Sequence, residues 1–194
     1  MCNFDKIIAE IIMGKFIVGN KYDSRIDTCE HINKVSSYCN IFAEEMIKRG
    51  HIHDSSKLFP PEKDVFDEYT PKLKEIPYGS DEYKECLNNM QIALNHHYEN
   101  NDHHPEYFAL RYKQRDGNGT PVYEGLSGMD LFQLSEMFCD WFAACQRNDE
   151  GGASIDTKIL NSISINQERF GYSDELKMIL INTANKYLEK LDRR

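Results

Sequence analysis

The apolar residues of this chain recur mainly at the three- and four-residue spacing of α-helices, and this pattern restricts the possible folds most strongly. One such stripe runs through the segment from about Asp23 to Arg49 and contains Val35, Tyr38, Phe42 and Met46. Gly50 follows two cations and predicts the end of this helix. Pro61 then predicts the start of the next helix.

Capping residues predict further helices. Ser80 is placed to cap a long helix that carries Tyr83, Cys86, Leu87, Met90, Ala93 and Leu94 on one face. Ser127 and Asp130 resemble a capping box before an apolar helix, and Ser173 precedes the last helix. Residues 111–128 and 148–153 are predicted loops, the first with a small hairpin at residues 116–119. We therefore expect a single all-α domain over residues 1–194, a helical bundle with its core at about 23–190.

The composition excludes some partners. The chain has 194 residues and a formal net charge of -9, which weighs against binding to nucleic acid or to anionic membranes. A local group of Lys and Arg still allows a small anionic ligand. The sequence shows no long apolar segment, no convincing signal peptide and no CxxC pair among its cysteines. We expect a cytoplasmic protein without disulfides, and a homo-oligomer is compatible with its apolar surface.

All seven histidines lie between residues 31 and 104: His31, His51, His53, His96, His97, His103 and His104. Helical periodicity predicts that His31 points inward and that His97 lies near the centre of an apolar face, with His96 at its edge. Asp140 lies on another apolar helix, where a buried carboxylate needs a partner or a metal. A single inward histidine is more often a hydrogen-bonded core residue. Inward polar groups on three helices are explained together by one shared metal.

The donor types favour a divalent transition metal. Imidazole and carboxylate groups together bind Mn, Fe, Co, Ni or Zn. Such an ion lowers the pKa of a bound water towards about 7 and provides hydroxide at neutral pH. The absence of cysteine ligands argues against a structural zinc site. We expect one or two ions.

The order His31 … His53-Asp54 … Asp140 resembles the HD-domain superfamily of metal-dependent phosphohydrolases, whose fold is all-helical. Lys57 completes an HDxxK pattern that is similar to HD-GYP phosphodiesterases and to the inositol oxygenase branch. The segment "HHPE" at residues 103–106 resembles the "HHE" of the HD-GYP enzymes. The DGxGYP extension is missing, so cyclic-di-GMP hydrolysis does not transfer. Over residues 25–185 the chain looks most like an uncharacterised HD-like family common in phage and bacterial genomes.

The resemblance implies roles for individual residues. The first metal would be bound by His31, His53, Asp54 and Asp140, and the second by His97 and His104, with Asp54 bridging. Alternative ligands, or groups that orient the ligands, are Asp27, His96 and His103. Catalytic candidates are Lys57, which would neutralise phosphate charge, and Glu106 and Glu136, as acid/base groups or orienting carboxylates. Arg147 is a candidate substrate-binding residue, and Arg111, Lys158 and Arg169 are weaker candidates for the same role.

The expected function is hydrolysis of a phosphoester in a nucleotide or nucleotide-like small molecule by metal-bound hydroxide, in a bacterial or phage-infected cell. One alternative is a mixed-valent di-iron oxygenase of the HD type, because it has a closely similar ligand order. A second alternative is a metal-stabilised protein that binds or sequesters a nucleotide without turnover.

Overall fold

The computed structural model describes residues 24–76, 80–112, 126, 128–147 and 154–193, and within these ranges it contains α-helices and no β-strand. The prediction of an all-α fold is confirmed. The chain divides into two compact units, Met1–Glu45 and Met46–Arg194. The assignment of one domain to residues 1–194 stays a prediction.

The helices follow one another with short connections. In the described ranges they are α1 (Arg25–Ile52), α2 (Glu62–Glu75), α3 (Asp81–Asn89), α4 (Gln91–Asn100), α5 (Pro105–Tyr112), α6 (Leu131–Arg147), α7 (Ile155–Phe170) and α8 (Asp174–Leu191). A short 3₁₀ helix, Ser55–Leu58, lies between α1 and α2.

The first unit contains most of α1, and the first part of the predicted inward stripe is exposed. Val35 and Tyr38 are 44% and 70% exposed and His31 is exposed as well, whereas Phe42 and Met46 of the same stripe are half-buried. The expected inward orientation is therefore wrong for His31, Val35 and Tyr38, and Phe42 and Met46 meet it in part. Periodicity identifies which residues share a helix face, but it does not determine whether another element covers that face.

The end of α1 also differs from the prediction. Gly50 lies inside the helix, which continues to Ile52. A left-handed backbone conformation occurs after this helix, at Asp54, where φ is 54° and ψ is 17°. Aspartate tolerates this conformation better than most residues do, although it costs about 1 kcal/mol relative to ordinary angles. The chain therefore turns at His53 and Asp54, which are called the HD pair here.

The segment from α2 to α5 contains four of the seven histidines, two on α4 and two in the turn that follows it. Helix α2 begins after Pro61, as predicted, and α3 is capped by Ser80, whose Oγ accepts a hydrogen bond from the Tyr83 N–H at 3.1 Å. The single long helix expected here is divided at Met90, which is only 1% exposed. Helix α4 packs against α2 and α5. This division gives α4, which carries His97, an axis of its own.

Helices α6, α7 and α8 enclose the main hydrophobic core of the second unit. Its buried members are Phe138, Phe142, Ile159, Ile163, Phe170, Tyr172, Leu180 and Ala184. Asp130 and Gln133 cap α6 reciprocally, at 2.8 and 2.9 Å, and Ser173 caps α8, as predicted. Ser127, the hairpin at 116–119 and the loop at 148–153 lie outside the described residues. Helix α7 was not predicted.

From the sequence we expect neither a membrane-spanning segment nor disulfides in the described ranges. No helix in those ranges is both long and apolar enough to cross a bilayer. The described cysteines are free thiols: Cys29, Cys39, Cys86, Cys139 and Cys145.

Gly171 and Gly50 provide a matched test of these backbone assignments. Gly171 ends α7 with φ 68°, whereas Gly50 is helical, and an added Cβ would meet nothing within 4 Å at either position. Gly171→Ala should lower the free energy of unfolding by about 1 kcal/mol, because the left-handed region disfavours a Cβ. Gly50→Ala should raise it by about 0.5–1 kcal/mol. Urea denaturation measures both, and equal destabilisation by the two substitutions would contradict the assignments.

Candidate metal centre

The turn after α1 directs two neighbouring side chains to different partners. His53 Nε2 lies 3.5 Å from Asp140 Oδ1, which projects from α6. Asp54 Oδ1 lies 3.4 Å from Nε2 of His97 and 3.5 Å from Nε2 of His103. The left-handed conformation of Asp54 accompanies this divergence and places the two members of the HD pair in adjoining groups of donors.

The segment that joins α4 to α5 supplies the other histidines. His97 lies in the last turn of α4 and is 2% exposed, in agreement with the face predicted for it. His103, also 2% exposed, and His104 lie in the turn that follows. The His104 N–H donates to the Asn101 carbonyl at 3.2 Å. The tight turn brings His103 and His104 back over His97.

These side chains form two groups of possible metal ligands, each with its donor atoms within 4.8 Å of one another. The first group, called cluster A here, contains Asp54, His97, His103 and His104. The second, cluster B, contains His53, His103 and Asp140. His103 belongs to both groups, and all these residues lie in the second unit.

The spacing of the donors in cluster A fits a transition metal. His97 Nε2 and His104 Nε2 are 2.9 Å apart, and Asp54 Oδ1 lies 3.4 and 3.5 Å from His97 and His103. Ligands about 2.0–2.2 Å from an ion, at octahedral or tetrahedral angles, are separated from one another by about 2.8–3.6 Å. These three separations fall within that range.

Two carboxylates orient the imidazole rings. Glu136 Oε1 lies 2.9 Å from His53 Nδ1 and 3.3 Å from His103 Nδ1, and Glu62 Oε2 lies 2.9 Å from His97 Nδ1. An ionised carboxylate only accepts hydrogen bonds, so the hydrogen bonds of His53 and His97 assign the proton of these two rings to Nδ1, and the Nδ1 of His103 faces the same carboxylate as that of His53. Each Nε2 is then available to a cation, as in carboxylate–histidine–metal arrangements.

The two carboxylates are themselves held in place. Glu62 is fully buried at 0% exposure, and its second oxygen lies 2.7 Å from His96 Nδ1. His96 therefore contacts Glu62, and it is in neither donor group. Arg49 Nε donates to Glu136 Oε2 at 2.6 Å and also pairs with Asp102. These contacts restrict the rotation of Glu62 and Glu136.

Two polar atoms of cluster A are buried without a compensating hydrogen bond. Among the described residues, Asp54 Oδ1 and His103 Nε2 are buried side-chain atoms without a hydrogen-bond partner, and they lie 3.5 Å from each other. Buried polar atoms without a partner are rare in folded proteins and usually indicate an ion, a water or a functional role. A cation between these two atoms would satisfy both. The residues therefore fit a metal.

Burial and charge set the protonation states that a metal requires. Burial lowers the pKa of His97 and His103, and it lowers the pKa of His104 to about 2, so that these rings are neutral at pH 7. Burial alone would raise the pKa of Asp54, but the Lys57 ammonium, 2.6 Å away, lowers it to about 2. Cluster A thus offers one carboxylate and neutral imidazoles.

Cluster B has a different electrostatic character. Hydrogen bonds to Asp140 and Glu136 raise the pKa of His53 to about 10. A cation bound to His53 must therefore replace a proton, and its affinity should depend on pH more steeply than that of a cation at cluster A.

The structure brings together most of the predicted ligands. His53, Asp54, His97, His104 and Asp140 all belong to one donor group or the other, and His103, predicted only as an alternative, belongs to both. His31 and Asp27 are exposed residues of the first unit. Their roles as ligands stay predictions.

The predicted catalytic residues have different surroundings. Lys57 pairs with Asp54 and lies over the Phe66 ring, 5.0 Å from its centroid. Glu106 is 6% exposed and pairs with Arg169. The side chains of Arg111 and Arg147 lie outside the described part of the structure.

A cavity of about 620 Å³ adjoins the donor residues. His104 and Asp140 line it together with the two cations Lys158 and Arg169. Its remaining walls include the aromatic rings of Tyr83, Tyr98, Trp141 and Phe170 and the amides of Asn161 and Asn166. A small molecule in this cavity would therefore contact the candidate metal ligands directly.

Arg49 and Glu62 were not predicted as parts of the site. Each carries a charge at a helix end, where Arg49 matches the dipole of α1 and Glu62 that of α2. A charge at a helix end is usually a surface feature, so the sequence offers no local signal for its burial.

Glu136→Gln tests the orientation of the imidazoles by a carboxylate. The amide keeps the size of the side chain but binds the Nδ1–H groups less strongly, so the affinity for Mn²⁺ should fall about 10- to 100-fold. Isothermal titration calorimetry on the chelator-treated protein measures this change. Glu168→Gln is the matched control, because Glu168 is exposed on α7. An affinity within twofold of wild type for Glu136→Gln would contradict the proposed orientation.

Comparison with known proteins adds a family assignment. Neither the curated proteins nor the solved structures contain a match to the chain. A family model described as a family of unknown function, DUF5662, matches residues 20–190, which include every candidate ligand. The chain therefore belongs to the DUF5662 family.

Proposed function

We propose that this protein is a metal-dependent phosphohydrolase that cleaves a phosphoester in a nucleotide or nucleotide-like small molecule. The observation that carries the proposal is the pair of donor groups that share His103 and adjoin a cavity through His104 and Asp140. The HD-type order of His53, Asp54 and Asp140 along the chain supports the same reaction class. We also propose that the protein acts in the cytoplasm.

A divalent ion at these donors would supply hydroxide at neutral pH and would offset charge on phosphoryl oxygens. The chain supplies the orientation of the donors, through Glu62 and Glu136. Lys57 supplies a positive charge beside Asp54, where negative charge on a substrate would increase during the reaction. Glu136 already contacts two imidazoles and Arg49, so we assign it to orientation and not to proton transfer.

The cavity supports a small substrate. Its volume of about 620 Å³ lies within the usual range for small-molecule sites. Aromatic rings such as Tyr98 and Trp141 can contact a planar base, and the amides of Asn161 and Asn166 can form hydrogen bonds with its edge. The net charge of -9 disfavours a long polyanion such as nucleic acid as the partner.

A panel of nucleotides tests the reaction class. With Mn²⁺ present, the wild-type protein should release inorganic phosphate or a nucleotide product from at least one member, and Asp54→Ala should lose this activity. Iron-dependent O₂ consumption without phosphate release would contradict hydrolysis and favour an oxygenase. Binding of a nucleotide without any product, whichever metal is supplied, would favour a sequestering protein.

Lys57→Met tests the role of the ammonium group. If Lys57 stabilises charge that develops in the reaction, kcat should fall about 10²- to 10³-fold while Mn²⁺ still binds. Lys63→Met is the control, because Lys63 is an exposed lysine on α2 that pairs with Asp67. Steady-state kinetics and metal titration of both variants measure the difference. An unchanged kcat in Lys57→Met would remove Lys57 from the proposed machinery.

A further inference from the structure

Glu106 and Arg169 form an ion pair on the wall of the cavity. The Glu106 side chain is 8% exposed, whereas that of Arg169 is 48% exposed. The Arg169 guanidinium also lies over the Phe170 ring, 4.8 Å from its centroid. The carboxylate of Glu106 and the ring of Phe170 therefore hold the guanidinium of Arg169 in place, while about half of the Arg169 side chain is exposed.

The burial of Glu106 is not explained by this ion pair alone. Glu106 Oε2 is a buried atom without a hydrogen-bond partner among the described residues. Burying a carboxylate is costly, and a single pair with a half-exposed arginine returns little of that cost. A conformation that is costly to the fold and that orients a cation in a cavity is typical of a binding site.

The position of Arg169 in the cavity determines what it can contact. Its partner Glu106 follows the candidate ligand His104 by two residues, and all three line the same cavity. Arg169 is therefore held by a residue two positions after a candidate metal ligand and lines the same cavity as that ligand. Lys158 is eleven residues earlier on α7, about 16 Å away along the helix axis.

The charge of the cavity favours an anion when a metal is bound. Its lining includes the carboxylates of Glu106 and Asp140 and the cations of Lys158 and Arg169, which balance in number. A divalent ion at the adjoining donors would make this region positive within a chain of net charge -9.

We propose that Arg169 binds the phosphoryl oxygens of the substrate and that Glu106 is a positioning residue that holds its guanidinium in place. Glu106 thereby has a different role from the acid/base role considered for it from the sequence. The planar fork of arginine can direct N–H groups to Glu106 on one edge and to two phosphoryl oxygens on another. This inference rests on the proposed function, because it assigns a binding residue to the group that would be hydrolysed.

Binding of inorganic phosphate to the full chain loaded with Mn²⁺ tests the inference without requiring turnover. Calorimetry should show that Arg169→Met raises the Kd for phosphate about 10- to 100-fold, because hydrogen bonds to a charged group are lost. Arg169→Lys keeps the charge without the fork and should fall between Arg169→Met and wild type. Arg193→Met is the matched control, because Arg193 is exposed near the end of the chain.

A double-mutant cycle tests the positioning role of Glu106. Glu106→Gln should weaken phosphate binding, and the combination with Arg169→Met should be no weaker than Arg169→Met alone. Additive losses would contradict positioning. Titration of Mn²⁺ into each variant should give an unchanged metal affinity, and a loss of phosphate binding that follows a loss of metal would overturn the inference.

The outcomes for this inference and for hydrolysis are distinct. Arg169-dependent phosphate binding without turnover of any nucleotide would support the inference while contradicting hydrolysis. Hydrolysis with the same KM and phosphate Kd in wild type and Arg169→Met would overturn the inference and leave the proposed function standing. If Arg169→Met does not fold, Arg169→Lys and Glu106→Gln make the same comparison.

Discussion

The carboxylate of Glu136 connects the elements on which the candidate metal centre depends. One of its oxygens contacts Nδ1 of His53, which follows α1, and Nδ1 of His103, which precedes α5. The other accepts a hydrogen bond from Arg49 in the last turns of α1. Because Glu136 itself projects from α6, one buried side chain links three parts of the second unit. It also directs the Nε2 atoms of two histidines towards the donor groups.

The burial of these polar groups lowers the stability of the fold. Glu62 and Glu136 are 0% and 6% exposed, and Asp54 Oδ1 and His103 Nε2 are buried without hydrogen-bond partners among the described residues. A core optimised for stability would replace such groups with apolar residues. Their concentration around His103 is what we expect where binding has been favoured over stability. The buried apolar core between α6, α7 and α8 can offset this cost.

The sequence predicted the parts of the site that depend on helical periodicity. His97 and Asp140 were placed on the correct faces, because each lies at a fixed angle from apolar neighbours on its own helix. The capping residues Ser80, Asp130 and Ser173 located helix starts for the same local reason. The orientation of His31, Val35 and Tyr38 was misjudged, because burial depends on what packs against a face and not on the face itself.

Other parts of the site depend on contacts between distant residues. Arg49 and Glu136 are 87 residues apart, and Glu62 and His97 are 35 residues apart. No local pattern links the members of these pairs. His103 was predicted only as an alternative to His104, because only the backbone of the turn between α4 and α5 determines that both face the donors. The left-handed conformation at Asp54 was likewise hidden by Gly50, which has the stronger local preference for it.

The most direct test of this account is the metal stoichiometry of the purified protein and of His103→Ala, measured by elemental analysis after incubation with Mn²⁺, Fe²⁺, Co²⁺, Ni²⁺ or Zn²⁺ and removal of unbound ion. Since His103 is shared by both donor groups, its loss should weaken binding at each of them. We predict at least one tightly bound ion per wild-type chain, little or none in His103→Ala, and wild-type content in the control His51→Ala, whose exposed side chain contacts the Ile47 carbonyl. Equal metal content in wild type and His103→Ala, or a wild-type protein that retains none of these ions, would contradict a metal centre built around His103.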